Sequence, residues 1–328
     1  MLEKLYQSLR EVDDMSLNFS PEGLLFMNIT LAVIMFGVAM DIKKDQFRRI
    51  VYRPKSVVLG IISQFVVLPG LTFVLVLALE PPPSIAIGMI LISVCPGGNI
   101  SNFISSLAKA NVALSVSLTG FATLAATFLT PANFALWAGL YVHHTQKAGG
   151  LNIPIEIDFL QMAQTVFILL GIPLILGMWF TYKFPKFTKK IKRPFKIGSL
   201  LLYIVFIAGA LAANWSFIPL IIIPVGILTV FLNTQTLLTG YLVGTVFRVP
   251  RPDRRTLTIE TGIQNSGLAL VLIFNPKLFD ANGGMAVMAA WWGIWQMLSG
   301  IVIATLVQHR KIPESEIEKT LLPSDRQS

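Results

Sequence analysis

Three polar constellations interrupt an otherwise apolar sequence. Glu260-Thr261-Gly262-Ile263-Gln264-Asn265-Ser266-Gly267 lies inside an apolar segment that runs from about Leu257 to Phe274. Cys95-Pro96-Gly97-Gly98-Asn99-Ile100-Ser101-Asn102 breaks a second segment in the same manner. Asn111, Ser115, Thr119, Thr123 and Thr127 recur every four residues along a third, and Gln64 sits near the middle of a fourth. An i+4 series winds slowly round a helix, so neighbours in it share a site while its ends do not. Together these residues offer one carboxylate, amides, hydroxyls and the carbonyls freed at two helix breaks. Hard oxygen donors of this kind suit alkali or alkaline-earth cations, and a single carboxylate favours a monovalent ion over Ca²⁺. Broken half-helices also present positive N-terminal ends that hold an anionic group. No nucleophile–base pair, phosphate loop or metal-ligand spacing accompanies them, so an enzyme is not expected. Three histidines and one cysteine, Cys95, do not make a His/Cys metal site or a disulfide framework.

The depth of these groups decides how they are read. A carboxylate at mid-membrane costs a few kcal/mol and marks a functional site by default. Pairing for folding alone is the plain alternative for Glu260, but no Lys or Arg occupies the apolar part of any span. A bound cation would supply the missing charge. Non-helical backbone at that depth survives only against protein or a watery cavity. For Thr123 and Thr127 the plain alternative is a hydroxyl bonded back to its own helix, and for Gln64 an amide that joins two helices.

The elements that must position these groups are membrane helices. Of 328 residues, 54% are hydrophobic and only 13% charged, and the mean hydropathy is +0.69. Repeated apolar runs of this length indicate an all-α polytopic membrane protein rather than one large soluble core. Nine spans are expected, at 24–41, 56–79, 84–108, 112–140, 158–181, 197–213, 217–247, 257–275 and 284–308. Residues 1–23 read as an amphipathic segment lying on the membrane, and 309–328 as a polar tail. The formal charge of +9 does not point to nucleic acid, because its basic residues fall in short loops between spans. Lys43 to Lys55, Lys183 to Lys196, Arg248 to Arg255 and the C-terminal tail all lie on one side when nine spans alternate. The positive-inside rule makes that side cytoplasmic and puts the N-terminus outside. Spans three and eight are interrupted alike and run in opposite directions. Such a pair is the sequence mark of inverted repeats with two crossing, discontinuous helices.

The two broken-helix motifs, with Asn111-Val112-Ala113-Leu114-Ser115-Val116 and Gly37-Val38-Ala39-Met40, resemble the bile acid:sodium symporter family. The likeness runs from the first span to the last. It implies a core domain (56–140 and 217–308) and a panel domain (24–41 and 158–213), with two sodium ions bound behind the helix crossing. By motif, one sodium site would use Ser101, Asn102, Ser115, Thr119 and Glu260. The other would use Gln64, Glu260 and Gln264 with the carbonyls of Thr261 and Ile263. Asn99 and Asn265 would touch substrate. Gln296, beside Met297, stands where bacterial relatives can carry a polar pair that contacts it. Nine spans match the mammalian bile acid carriers, whereas many bacterial members show ten. The resemblance implies sodium-coupled import of an amphipathic organic anion across the plasma (inner) membrane by alternating access: a bile acid-like molecule, a steroid sulfate or a small carboxylate. The rival readings are a proton-coupled or exporting carrier of the same fold, in which Glu260 titrates, and a receptor that binds without transporting.

Overall fold

The computed structural model describes residues 9, 21–40, 54–98, 100–147, 159–213, 218–275, 277–279, 282–318 and 320. The expected amphipathic segment at 1–23 lies almost wholly outside these residues. The described chain is helical: α1 (Pro21–Ala39), α2 (Pro54–Leu79), α3 (Pro83–Val94), α4 (Ile100–Leu107), α5 (Val112–Lys147) and α6 (Phe159–Lys183) are followed by α7 (Pro185–Ala213), α8 (Ile218–Val246), α9 (Arg251–Gly262), α10 (Ser266–Ile273), α11 (Gly283–Gln308) and α12 (Glu314–Glu318). Among the described residues, five helical stretches are long and apolar enough to cross a membrane: α2, α5, α6, Ile223–Val246 of α8, and α11. The two interrupted segments are each built from a pair of half-helices, α3 with α4 and α9 with α10.

α3 sits at the centre. Every residue from Ser84 to Val94 is buried, which explains why this helix is apolar all round rather than on one face. It packs against α2, α5, α10 and α11. Its core extends through Leu268 to Phe274, Met285 to Ala289 and Trp292. A second group, α1, α6 and α7, is held together partly by Phe36, whose ring lies 5.7 Å from that of Phe180 and 5.6 Å from that of Phe195. It meets the larger group where α6 packs on α5 and α10, and where α1 packs on α10. Large side chains such as Val74, Phe128, Leu160 and Trp179 are exposed on the outside, as lipid-facing surface requires.

Several boundaries differ from the sequence reading. The basic stretch around 182–196 is not a loop; Pro185, favoured at the first helical position, starts α7 there, and its lysines are good helix formers. The basic residues from Arg251 likewise form the first turns of α9, started by Pro250 and Pro252 and favoured by Asp253 in the first turn. Hydropathy alone misplaces both starts because charged turns of a helix look like loop. α5 also runs on past 140 to Lys147. Trp292 is fully buried in the core. The polar tail at 309–328 contains α12, whose Glu316 accepts a hydrogen bond from the Arg251 backbone N–H at 2.7 Å.

α2 and α6 each contain one π-helical turn, Ser63–Val67 and Phe167–Gly171. Both lie just before a proline, Pro69 and Pro173. A proline lacks an N–H and its ring presses on the carbonyl four residues back, so the helix widens there rather than breaking. The first of these turns carries Gln64.

Candidate functional site

The two breaks meet. α3 ends at Val94 because Pro96 biases Cys95 to an extended conformation, φ −69° and ψ 152°. α9 ends at Gly262, and Ile263 is extended at φ −127° and ψ 107°. Gly97 and Gln264 form an isolated antiparallel β-bridge. The Gly98 N–H donates to the Ile263 carbonyl at 2.9 Å and the Asn265 N–H to the Pro96 carbonyl at 2.8 Å. Glycine is needed for this approach: a Cβ on Gly98 would stand 2.9 Å from the Gln264 carbonyl oxygen, and one on Gly97 would stand 3.0 Å from Glu260 Oε2. Asn265 caps α10, its Oδ1 accepting from the Leu268 N–H at 3.0 Å.

Glu260 lies buried behind the crossing, in the last turn of α9. Its Oε1 accepts from the Ser101 hydroxyl at 2.6 Å and from the Ser115 hydroxyl, and its Oε2 accepts from Thr119 at 3.0 Å. Ser101 belongs to the first turn of α4, so the carboxylate also faces a positive helix end. Asn102 Oδ1 accepts from Ser115 at 2.9 Å and lies 3.4 Å from the Thr119 hydroxyl. All five residues expected in the first ion site are therefore in one place. The series on α5 stops contributing at Thr123, which bonds back to the Thr119 carbonyl at 2.7 Å.

Of the second expected set, Gln64, Gln264 and the Thr261 and Ile263 carbonyls come together, but no Glu260 oxygen bonds to them. Gln64 Nε2 donates to Gln264 Oε1 at 2.6 Å and to the Cys95 carbonyl at 2.8 Å. Gln264 Nε2 donates to the Thr261 carbonyl at 2.8 Å, and the hydroxyls of Thr261 and Ser63 are 2.9 Å apart. The Ile263 carbonyl receives the Gly98 N–H of the crossing. Both oxygens of Glu260 are turned to the first set.

Of the residues expected at substrate, Asn99 lies outside the described residues. Asn265 is at the crossing, buried, as the cap of α10. Gln296 is buried and turned to the break: its Oε1 accepts from the Gln264 N–H at 2.8 Å and its Nε2 donates to the Gln264 carbonyl at 2.9 Å. Gln296→Leu is expected to leave that N–H unpaired, costing roughly 1–3 kcal/mol. It should lower the melting temperature.

Sequence reasoning gave less weight to the side chains that hold the freed backbone. Thr130 on α5 donates to the Val94 carbonyl at 2.7 Å, and Asn233 on α8 donates to the Gly262 carbonyl at 3.0 Å. Ser299 in turn orients Asn233, bonding its Oδ1 at 2.5 Å. Every carbonyl from Val94 to Pro96 and from Thr261 to Gln264 thus has a donor, which is what irregular backbone inside a bundle requires. The available signal was Asn233 itself, a polar residue inside an apolar run.

Two interrupted helices whose breaks pair around a buried carboxylate define a class: transporters built on discontinuous membrane helices. Within that class, the chain belongs to the sodium bile acid symporter family, which matches residues 28–219. It is 31% identical to the uncharacterized sodium-dependent transporter YocS of Bacillus subtilis (strain 168), over 85% of this chain and 82% of that one. It is 29% identical to a probable chloroplastic sodium/metabolite cotransporter, BASS2, of Oryza sativa subsp. japonica, over 88% of this chain and 65% of the relative. Human sodium/bile acid cotransporter 4 is 27% identical over 90% of this chain and 68% of its own length. The protein is therefore a multi-pass membrane protein of a sodium-dependent transporter family.

Proposed function

We propose that the protein is a sodium-coupled symporter that carries an amphipathic organic anion into the cytoplasm. The observation that supports this most is the convergence of Ser101, Ser115 and Thr119 on Glu260, directly behind the helix crossing. One sodium ion takes these four residues and Asn102 as ligands. A second takes Gln64, Gln264 and the Thr261 and Ile263 carbonyls, with Glu260 serving both ions. For the second ion, the Gln64 and Gln264 amides turn their oxygens inward and give up their mutual hydrogen bond. The anionic group of the substrate meets the N-terminal ends of α4 and α10, beside Asn99 and Asn265. Gln296 stands behind them and acts on substrate through the break that it clamps.

In this reading the chain crosses the plasma membrane nine times, with the N-terminus outside and the C-terminus in the cytoplasm. α1, α6 and α7 form the panel that rocks against the remaining core helices. Sodium joins the two half-helix pairs into one unit, and only that unit presents a complete substrate surface. The membrane potential adds about 2.3 kcal/mol per charge per 100 mV to uptake.

The test is uptake of radiolabelled taurocholate and a steroid sulfate into proteoliposomes under an inward sodium gradient, with potassium as the control. Uptake that needs sodium and rises with an inside-negative potential is the expected result. Uptake driven equally by a pH gradient in potassium would favour the proton-coupled rival. Sodium-dependent binding without accumulation would favour a receptor.

A further inference from the structure

Outside the crossing, a strongly basic cavity lies where the ends of α8, α9 and α11 meet. It has a volume of about 450 Å³, and its basic lining is Arg251, Arg254, Arg255, Arg310 and Lys311. The rest of the lining is mostly apolar, with Leu237, Leu238, Ile259, Ile303, Val307 and the ring of Tyr241. Leu238 and Tyr241 are about half exposed on the outer surface of the bundle. Among the described residues, none of α1, α6 or α7 lines this cavity.

The five cations are not equally free. Arg255 donates to the Ala108 carbonyl at 2.8 Å and to the Arg310 carbonyl at 2.8 Å, which ties the end of α4 to the end of α11. Arg254 lies over the Tyr241 ring at 5.3 Å and reaches the Thr245 hydroxyl at 3.4 Å. Arg251 is paired with Glu316 of α12, Nε to Oε1 at 3.3 Å. Arg310 and Lys311 are exposed at the rim. Among the described residues, the carboxylate paired with these cations is that of Glu316, which shows what they attract. Asp253, on the same helix, is buried and turned away to Ser56 and Asn111. Charges that only set topology need no common focus, whereas these converge on one cavity with an apolar wall open to lipid.

We propose that this cavity is a binding site for an anionic phospholipid, whose phosphate sits among Arg254, Arg310 and Lys311 and whose acyl chain lies along Leu238 and Val307. A basic pocket between membrane helices suits such a headgroup. A free phosphate would use the cations and leave the apolar wall idle. The bound lipid braces that end of α9, the helix that carries Glu260. The site does not depend on the sodium reading, and its test uses no sodium.

The test measures melting temperature in a non-ionic detergent while dioleoyl phosphatidylglycerol is added, against dioleoyl phosphatidylcholine and inorganic phosphate. Wild type is compared with Arg310→Gln/Lys311→Gln and with Leu238→Gln, the fold of each checked by far-UV circular dichroism. Phosphatidylglycerol should stabilise wild type and phosphatidylcholine should not. The double variant should need about thirtyfold more phosphatidylglycerol, from about 1 kcal/mol per basic residue. Leu238→Gln should weaken the lipid effect severalfold. Equal stabilisation by the two lipids, an unshifted midpoint in the double variant, or full stabilisation by phosphate alone would each overturn the proposal.

Discussion

Glu260→Gln is expected to abolish sodium-induced thermal stabilisation and to reduce sodium-driven uptake to background, a loss of more than about a hundredfold. The substitution keeps the shape of the side chain, and its one amide oxygen can still accept from Ser101 and Ser115. It removes the charge and the acceptor that faces Thr119, whose hydroxyl can turn to accept from the new amide N–H. Neutral oxygens alone bind an alkali cation weakly at membrane depth, because nothing offsets the cost of the ion's own charge there. Changes to outer partners of a metal site typically cost 10- to 100-fold, so loss of the one charged ligand should cost more. Thr123→Ala is the matched control. Its hydroxyl serves only the Thr119 carbonyl, and the variant should transport much as wild type does. Sodium-driven uptake by Glu260→Gln within a few-fold of wild type would sink the assignment of this carboxylate to the ion. Melting curves taken with sodium and with potassium separate a lost ion site from a lost fold.

The second large effect should come from a single methyl group at the crossing. Gly98→Ala places a Cβ 2.9 Å from the Gln264 carbonyl oxygen and 3.2 Å from its carbonyl carbon. The obstacle is backbone, which cannot turn aside as a flexible side chain can. Relief requires the two breaks to separate, and that lengthens the Gly98–Ile263 hydrogen bond and pulls Ser101 away from Glu260. Overpacking of this kind costs about 1–3 kcal/mol, and a backbone obstacle belongs at the upper end. The expected result is a lower melting temperature, a sodium midpoint raised more than about tenfold and loss of uptake. Gly139→Ala provides the contrast, since a Cβ there meets nothing within 4 Å. In the interior of α5 that change should stabilise by up to about 1 kcal/mol. If both variants behaved alike, close approach at the crossing would not be what Gly98 provides.

Most of the polar cluster at the crossing was legible from residue type and spacing. Glu260, Ser115, Thr119 and Gln64 are polar groups placed where polarity is expensive, and the glycines and Pro96 mark the breaks. What could not be read is which distant side chain serves which freed carbonyl. Thr130 and Asn233 look like ordinary helix residues until the fold sets them beside Val94 and Gly262. That Gln296 bonds the Gln264 backbone was equally hidden, because its place in span nine says nothing of what lies opposite it. The π-turn under Gln64 had a visible cause in Pro69, but a widened turn and a plain kink leave the same sequence mark. Helix ends were hardest where charge hides them, as the first turns of α9 illustrate: their arginines resemble loop while Pro252 and Asp253 are buried.

The hydrogen bond from Ser101 to Glu260 joins residues 159 positions apart in the chain. At about 5–20 residues per second, a ribosome needs roughly ten to thirty seconds to make the intervening segment. During that interval the first break has entered the bilayer without its antiparallel partner. The amides and carbonyls around Pro96 to Gly98 must be served by water, by the insertion machinery or by a transient local structure. The half-finished protein is thus a poor solute in lipid, and quality control has a clear feature to detect: an open polar notch in an otherwise apolar helix. Substitutions that weaken the crossing should therefore lower the amount of protein reaching the membrane before any effect on transport is seen.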